Sequence, residues 1–176
     1  MKRKCERRPF RAAIIFCSLL FLQVFATVGI ADAVGPGMSA PDFRLETLDG
    51  DPVGLADFKG KQPLLLVFWA SWCPSCREEV PRINRIAAEY GPKGLAVLAV
   101  NVGVNDSPAT AAGFRERHRM AYPVAFDQGS KISRAFGVMG VPTILLLDRQ
   151  GIVRYHGATV PTDMAARWQA VNNNRQ

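Results

Sequence analysis

The sequence is poor in cysteine and histidine. Its 176 residues contain four Cys and two His, which is too sparse for a small domain stapled by disulfides. Of the net charge of +7, +4 lies within the first 33 residues, so the rest of the chain carries only +3. A mixed surface of this kind has no positive footprint for nucleic acid. With 48% apolar and 21% charged residues, the composition excludes a disordered chain, a collagen, a coiled coil and a polytopic membrane protein.

Charge is absent from residues 12–30. This run of 19 residues follows a basic segment and precedes the small-residue site Ala31-Asp32-Ala33. The order is typical of a secretory signal, but 19 residues also suffice to span a bilayer. We therefore expect residues 1–33 to be either a signal peptide cleaved after Ala33 or a retained membrane anchor. In both cases the basic flank stays in the cytoplasm, and residues 34–176 are exported to the periplasm or an equivalent extracytoplasmic space.

Two cysteines follow residue 33, and they form the motif Cys73-Pro-Ser-Cys76. A disulfide between such close residues closes a short loop and constrains the unfolded chain little, so a purely structural role is disfavoured. Two thiolates are too few for a zinc site, and His118 and His156 stand at no ligand spacing. We therefore expect no metal cofactor. Cu(I) binding by the two thiolates, as in a copper chaperone, remains a competing function.

Hydrophobic patterning predicts an α/β fold. Short apolar runs that are typical of strands buried on both faces occur at residues 64–69, 95–102 and 141–147. A helical pattern follows the cysteines as far as Tyr90, and Ser107-Pro108 begins another helix. Strand–helix–strand units predict parallel neighbours, whereas the turn at residues 148–151 predicts an antiparallel edge. We expect one central mixed sheet with helices on both faces.

The boundaries of the domain follow from composition and from turn signals. Residues 34–41 are rich in Gly, Pro and Ser and show no periodicity, so we predict a linker there and a single domain over residues 42–173. Alternation at residues 43–47, followed by a turn at residues 48–51, predicts an N-terminal β-hairpin.

The position of Cys73, after a buried strand and at the start of a helix, suggests its chemistry. Free backbone N–H groups and the helix dipole lower the pKa of a thiol placed there, and the thiolate is the form that attacks disulfides. Cys76 lies one turn deeper on the same face, from which it can attack a mixed disulfide at Cys73. The motif therefore predicts a thiol–disulfide exchange enzyme whose cysteine pair is the redox centre, with no dissociable cofactor.

Four separated blocks resemble thioredoxin-like proteins: the strand LLLVFW, the loop ASWCPSC, Pro81 within the helix, and the later GVMGVPTILLLD. The opening APDFRLETLDGDPVGLADFKGK narrows the resemblance to the exported ResA/TlpA/CcmG (AhpC/TSA-redoxin-like) branch. That branch adds an N-terminal hairpin. It also adds a helix–strand insert after the second core strand, and residues 105–126 match this insert. The resemblance spans residues 36–170 and implies a thioredoxin-like fold. A thiol peroxidase is disfavoured, because Ala70 and Leu66 stand where its threonine and proline should precede the cysteine.

The resemblance also implies a function. Members of the branch reduce disulfides in selected periplasmic proteins, such as cytochrome c apoproteins or copper-site proteins, with electrons from a membrane carrier. We expect disulfide-containing protein substrates and a membrane electron donor here too. A DsbA-like disulfide oxidant remains an alternative, because the intervening Pro74-Ser75 does not decide the direction of exchange.

Site roles follow from the same resemblance. It makes Cys73 the attacking cysteine and Cys76 the resolving one. It places a cis-proline at Pro142, after Val141, whose backbone would pair with an extended substrate. Trp72 and Pro74 would contact the substrate beside the cysteines.

The resemblance also implies a carboxylate near the cysteines. Thioredoxin has a buried Asp where this chain has Val67, whereas ResA-like proteins carry a Glu three residues after the second cysteine, here Glu79. Beneath the cysteines, Glu79 would exchange a proton with Cys76; otherwise it is a solvated residue of the first helical turn. We expect Glu78 to be the more solvated neighbour. Val104 stands where some relatives have a second Glu, which argues against a mechanism with two carboxylates.

Overall fold

A five-stranded mixed sheet runs through residues 34–173, the part of the chain that the computed structural model describes. In chain order, the strands of this part are β1 (Arg44–Glu46), β2 (Pro52–Gly54), β3 (Leu64–Trp69), β4 (Ala96–Asn101), β5 (Val124–Phe126), β6 (Thr143–Leu147) and β7 (Val153–Gly157). Its helices are α1 (Pro74–Tyr90), α2 (Pro108–Arg117), α3 (Lys131–Ala135) and α4 (Met164–Asn173), with single 3-10 turns at Leu55–Asp57 and Gly91–Lys93.

The large sheet has the strand order β5-β4-β3-β6-β7. β3 is parallel to β4, and β4 is parallel to β5. On the other side of β3, β6 pairs antiparallel with β3, and β7 pairs antiparallel with β6. β3 and β6 are buried along their whole length, which explains why both have nearly continuous apolar sequences. The predicted central mixed sheet is confirmed.

Helical segments cover both faces of the sheet. Side chains alternate between the two faces along a strand, so Phe68 and Trp69 at the end of β3 point in opposite directions. Phe68 packs against Phe136, just after α3, with ring centroids 5.2 Å apart. Trp69 packs against Phe114 of α2 at 4.8 Å. The core therefore lies on both sides of β3, and the carboxyl end of β3 leads directly into the loop that carries the cysteines.

The predicted N-terminal hairpin and the predicted helix–strand insert are both present. β1 and β2 pair antiparallel in a small sheet of their own. The backbone N–H of Leu48 donates to the carbonyl oxygen of Val124 at 2.7 Å, which attaches the hairpin to β5. The insert consists of α2 and β5, and it places β5 at the edge of the large sheet.

Residues 34–41, which we predicted as a linker, instead lie along β7. Gly37 and Val153 are joined by a backbone hydrogen bond of 2.8 Å, and Val153 donates to Met38 at 2.9 Å. Val34 is 4% exposed. This pairing uses backbone groups, which explains why no side-chain periodicity revealed it.

The predicted signal or anchor at residues 1–33 lies outside the described residues. Within residues 34–173, no helix has both the length and the apolar character needed to cross a membrane.

Candidate active site

Cys73 is the N-cap residue of α1. Its Sγ accepts a hydrogen bond from the backbone N–H of Cys76 at 3.1 Å, and Pro74 occupies the first helical turn, where a missing N–H costs little. No acidic residue lies in that turn. A sulfur at this position meets the positive end of the helix dipole, which stabilises a thiolate. The structure thus places Cys73 where the sequence predicts it, and Cys73 forms a disulfide with Cys76 across a Cα–Cα distance of 5.3 Å.

The two cysteines face different spaces. Both are nearly buried, at 4% and 3% exposure. Cys73 lines an open pocket of about 210 Å³ that also includes Trp72 and Pro74. Cys76 lines a small internal cavity of about 10 Å³. A substrate disulfide can therefore approach the sulfur of Cys73 from outside, whereas Cys76 is reached through Cys73.

Val141 and Pro142 lie beside the cysteine pair, as the resemblance implied. The peptide bond between them is cis. The carbonyl oxygen of Val141 is 3.5 Å from Cys73 Sγ, and Pro142 lines the internal cavity together with Cys76. The loop before β6 thus lies against the disulfide.

Trp72 is the exposed aromatic residue of the site. It is 50% exposed, and its Nε1 donates to the carbonyl oxygen of Val104 at 2.7 Å. On one side it borders the open pocket, and on the other a groove of about 330 Å³ that includes Met139. Trp69, by contrast, is buried and lines the internal cavity. Of the two tryptophans, Trp72 alone is placed to meet a substrate.

Glu79 is buried, so the solvated alternative for this residue is wrong. It is 4% exposed and lines the internal cavity with Cys76. One carboxylate oxygen accepts from Arg82 Nη1 at 2.8 Å, and the other accepts from the backbone N–H of Val160 at 2.9 Å. Glu78 is exposed. The carboxylate therefore enters the space below the cysteines from α1, although β3 offers only Val67 there.

Two residues that line the internal cavity carry buried polar atoms without a hydrogen-bond partner. Among the described residues, three buried side-chain nitrogen or oxygen atoms have no hydrogen-bond partner, and two of them, Trp69 Nε1 and Tyr122 Oη, belong to residues that line this cavity. Burial raises the pKa of Tyr122, so its phenol stays protonated at neutral pH. Cys76 thus lines the same internal cavity as Glu79, Trp69 and Tyr122.

Sequence reasoning missed Asp106, which supports the cysteine loop. Its Oδ2 accepts from the backbone N–H of Ser71 at 2.8 Å and from Asn101 Nδ2 at 2.7 Å, and its Oδ1 accepts from the backbone N–H of Ser107 at 3.0 Å. Burial opposes ionisation, but the hydrogen bonds from Asn101, Ser71 and Ser107 outweigh it and lower the pKa of Asp106. The one local signal was its position directly before Ser107-Pro108, which we interpreted as a helix start alone.

Asp106→Ala is expected to lower the free energy of unfolding by about 1–3 kcal/mol, because it removes the acceptor for two backbone donors and one amide. The pKa of Asp106 is lowered in the folded state, so its stabilisation is present above the unfolded pKa of about 4 and is lost as pH falls through the lower folded value. Urea unfolding of both proteins between pH 7 and pH 2.5 measures this. The difference should shrink below about pH 4.

A matched control is Asp163→Ala. Asp163 is exposed and pairs with Arg167 at the surface, so its loss should change stability by less than about 1 kcal/mol. A difference between wild type and Asp106→Ala that stays constant down to pH 2.5 would contradict the role of the carboxylate charge.

Metal binding is the function that competes for the same two sulfurs. Within residues 34–173, no group of three or more His, Cys, Asp or Glu side chains is placed to hold a metal ion. Both sulfurs are bonded to each other in the structure. Within this part of the chain, a Cu(I) ion would have only these two sulfurs as ligands, and only after the disulfide is reduced.

The fold and the site together define a class of protein. A thioredoxin-like sheet, a Cys-Pro-Ser-Cys motif at a helix N-terminus and a facing cis-proline are the features of thiol–disulfide oxidoreductases. The sequence profile of the AhpC/TSA family matches residues 36–156. The chain belongs to the AhpC/TSA family.

Individual relatives agree with this assignment. The chain is 37% identical over 122 residues to the thiol-disulfide oxidoreductase ResA of Geobacillus thermodenitrificans, covering 69% of this chain and 68% of the relative. It is 39% identical over 119 residues to the thioredoxin-like protein YneN of Bacillus subtilis, covering 67% and 68%.

A solved structure from Chlorobium tepidum, described as a candidate thiol:disulfide interchange protein DsbE, superposes with a TM-score of 0.69 at 36% identity, covering 80% of this chain and 98% of that one. The protein is thus an enzyme, a thiol–disulfide oxidoreductase of the ResA/DsbE type.

Proposed function

We propose that this enzyme is an extracytoplasmic reductant of protein disulfides, in which Cys73 attacks, Cys76 resolves and Glu79 accepts a proton. The observation that carries the proposal is the asymmetry of the cysteine pair. Cys73 opens to the outer pocket, whereas Cys76 shares an enclosed cavity with the Glu79 carboxylate. This arrangement separates the step that needs access to substrate from the step that needs a protected proton acceptor.

The reaction starts from the reduced enzyme. The thiolate of Cys73 attacks one sulfur of the substrate disulfide; the other substrate sulfur leaves and takes up a proton. This produces a mixed disulfide between Cys73 and the substrate. Cys76 then loses its proton to Glu79 and attacks Cys73 Sγ, and the second substrate sulfur leaves as a thiol. The substrate gains two electrons, and the enzyme ends as the Cys73–Cys76 disulfide that the structure contains.

Substrate contacts come from the rim of the site. An extended substrate segment pairs with the backbone at Val141, before the cis-proline Pro142, and passes Trp72 and Pro74. The closeness of the Val141 carbonyl to Cys73 Sγ and the half-exposed indole of Trp72 support this placement. Because the substrate is held through its backbone, side chains beside its cysteine decide which proteins are accepted.

The location and partners belong to the same proposal. The basic and apolar order of residues 1–33 supports export, with that segment either cleaved or kept as a tether to the membrane. The names of the relatives, thiol-disulfide oxidoreductase ResA and thiol:disulfide interchange protein DsbE, support disulfide-containing proteins as substrates. The family resemblance of the sequence adds cytochrome c or copper-site apoproteins as examples. A membrane carrier then returns two electrons to the disulfide, and the cysteine pair needs no further cofactor.

The test is the reduction potential of the Cys73–Cys76 disulfide, measured by equilibration against dithiol buffers. For this measurement, Cys5→Ala and Cys17→Ala are introduced into the full-length chain, so that Cys73 and Cys76 are its only cysteines. A potential near or below about −270 mV, that of thioredoxin, is the expected result. A value approaching about −120 mV, that of DsbA, would instead make the protein an oxidant. Failure to titrate as a two-electron couple, with stoichiometric Cu(I) uptake, would assign it to copper binding.

A further inference from the structure

The open pocket beside Cys73 is lined by basic side chains. Arg77 of α1, Arg117 at the end of α2 and His118 just after it contribute to its wall, together with Ser71 and Cys73. We call these three basic residues and the space between them the basic pocket. Its lining contains no acidic residue. A charged group of a bound substrate would therefore meet one sign of charge beside the reacting sulfur.

The positive charges of the basic pocket are not neutralised within the structure. In the part of the chain that is described, the arginines that form salt bridges are other ones: Arg82, Arg115, Arg154 and Arg167. The first turn of α1, whose N-terminus also faces Cys73, carries no acidic residue. The two arginines and the N-terminus of α1 thus contribute positive potential around Cys73, which the C-terminus of α2 at His118 offsets only in part.

The pKa of His118 is lowered by burial and partly by these positive charges. Its ring stacks on Phe114 at a centroid distance of 4.2 Å. Burial, followed by the charges of Arg117 and Arg77, lowers the pKa of His118, so at neutral pH the imidazole is uncharged. The two guanidinium groups are therefore close enough to oppose a third positive charge, which is the condition under which an incoming anion is stabilised.

Gly113 has no side chain, and this leaves space on α2 for the guanidinium group of Arg117. Gly113 lies one turn earlier on α2, and a Cβ built there would lie 3.4 Å from Arg117 Nη1. Arg117 thus rests along its own helix. Arg77 follows Cys73 by four residues, which places both on one side of α1. Two guanidinium groups from two helices consequently border the same open pocket as the reacting sulfur.

We propose that the basic pocket binds a carboxylate of the protein substrate, carried by an Asp or Glu next to the substrate cysteine that reacts with Cys73. Guanidinium groups form charge-assisted, bidentate hydrogen bonds with carboxylates, and His118 supplies a further donor. The carboxylate orients the substrate disulfide toward Cys73 Sγ before attack. The inference rests on the proposed function and adds to it a selected class of substrate: protein disulfides with an acidic neighbour.

The experiment compares two cyclic disulfide peptides that differ only in Asp or Asn beside the reacting cysteine. They are reduced by the reduced full-length chain in the Cys5→Ala, Cys17→Ala background, and the second-order rate constant is measured at low and high salt. The Asp peptide is expected to react about fivefold faster at low salt, with the advantage falling as salt rises. In the double variant Arg77→Gln, Arg117→Gln the ratio of the two rates should fall to about one.

The ratio is the readout because it separates recognition from reactivity. Loss of Arg77 near Cys73 changes the reactivity of the thiolate toward both peptides alike, so the ratio is unaffected by that change. The matched control is Arg85→Gln, an exposed position on α1, about 18 Å along the helix from Cys73, which should keep the fivefold ratio. Arg117→Glu provides a second variant, and it should favour a peptide with Lys over one with Asp.

Three results would overturn the proposal. In the first, the enzyme with Arg77 and Arg117 unchanged reduces the Asp and Asn peptides at equal rates. The proposed function would then stand without this specificity. In the second, the enzyme reduces oxidised glutathione faster than the glutathione ester, whose carboxylates are blocked, but shows no preference between the two peptides. The pocket would then be assigned to small disulfides. Reduction of neither peptide would remove both the inference and the proposed function.

Discussion

Cys73→Ser is expected to lower the rate of disulfide exchange roughly a thousandfold or more, because it removes the nucleophile itself. Cys76→Ser should behave differently. It leaves the attacking thiol at the mouth of the open pocket and removes the second thiol from the internal cavity. The first step then proceeds, but a serine hydroxyl does not attack a disulfide. The variant should therefore accumulate as a mixed disulfide with its substrate.

Mass spectrometry of acid-quenched reactions measures both outcomes, and dithiothreitol should release the trapped substrate. Both variants should remain folded, because the Cys73–Cys76 disulfide closes a very short loop and stabilises the chain little. Ser75→Ala is the control within the motif. The Ser75 hydroxyl lies 3.5 Å from Cys73 Sγ, so its loss should change the rate only a few-fold. Trapping by Cys73→Ser instead of Cys76→Ser would reverse the two roles.

The sequence predicted those features that depend on neighbouring residues. β3 and β6 were recognisable because strands buried on both faces must be apolar along their length. The start of α1 was recognisable because Cys73 and Pro74 occupy positions whose backbone needs are local. Resemblance added the place of Pro142. All of these features can be identified from a short stretch of chain.

The sequence did not reveal features that depend on distant backbone groups. Residues 34–41 pair with β7 through N–H and C=O groups, which leave no side-chain pattern. Asp106 supports Ser71, 35 residues away. The burial of Glu79 was undecided because its partner is the N–H of Val160, 81 residues away. In each case the missing information was which chain segment lies opposite, and the fold alone supplies it.

Glu79→Gln is expected to slow the resolving step about a hundredfold, the lower end of the roughly 10²–10⁴-fold that one positioned proton acceptor typically contributes. The amide oxygen of Gln can still accept the hydrogen bond from the backbone N–H of Val160, and only Arg82, whose side chain is half-exposed to solvent, loses its acceptor. The amide cannot take a proton from Cys76. Single-turnover experiments should therefore show mixed disulfide accumulating in Glu79→Gln while its rate of formation stays near wild type.

Glu78→Gln is the matched control, because Glu78 precedes Glu79 on the same helix but is exposed; it should leave both steps unchanged. The pH dependence separates a chemical role from a structural one. As pH rises above the ordinary thiol pKa of about 8.5, Cys76 loses its proton to solvent hydroxide and needs the carboxylate less. The defect of Glu79→Gln should then diminish. Two outcomes would contradict proton transfer: a defect that is equal at pH 7 and pH 10, or one that slows attack by Cys73 as much as resolution by Cys76. Either would mean that Glu79 supports the cavity through its contacts with Arg82 and Val160 and moves no proton.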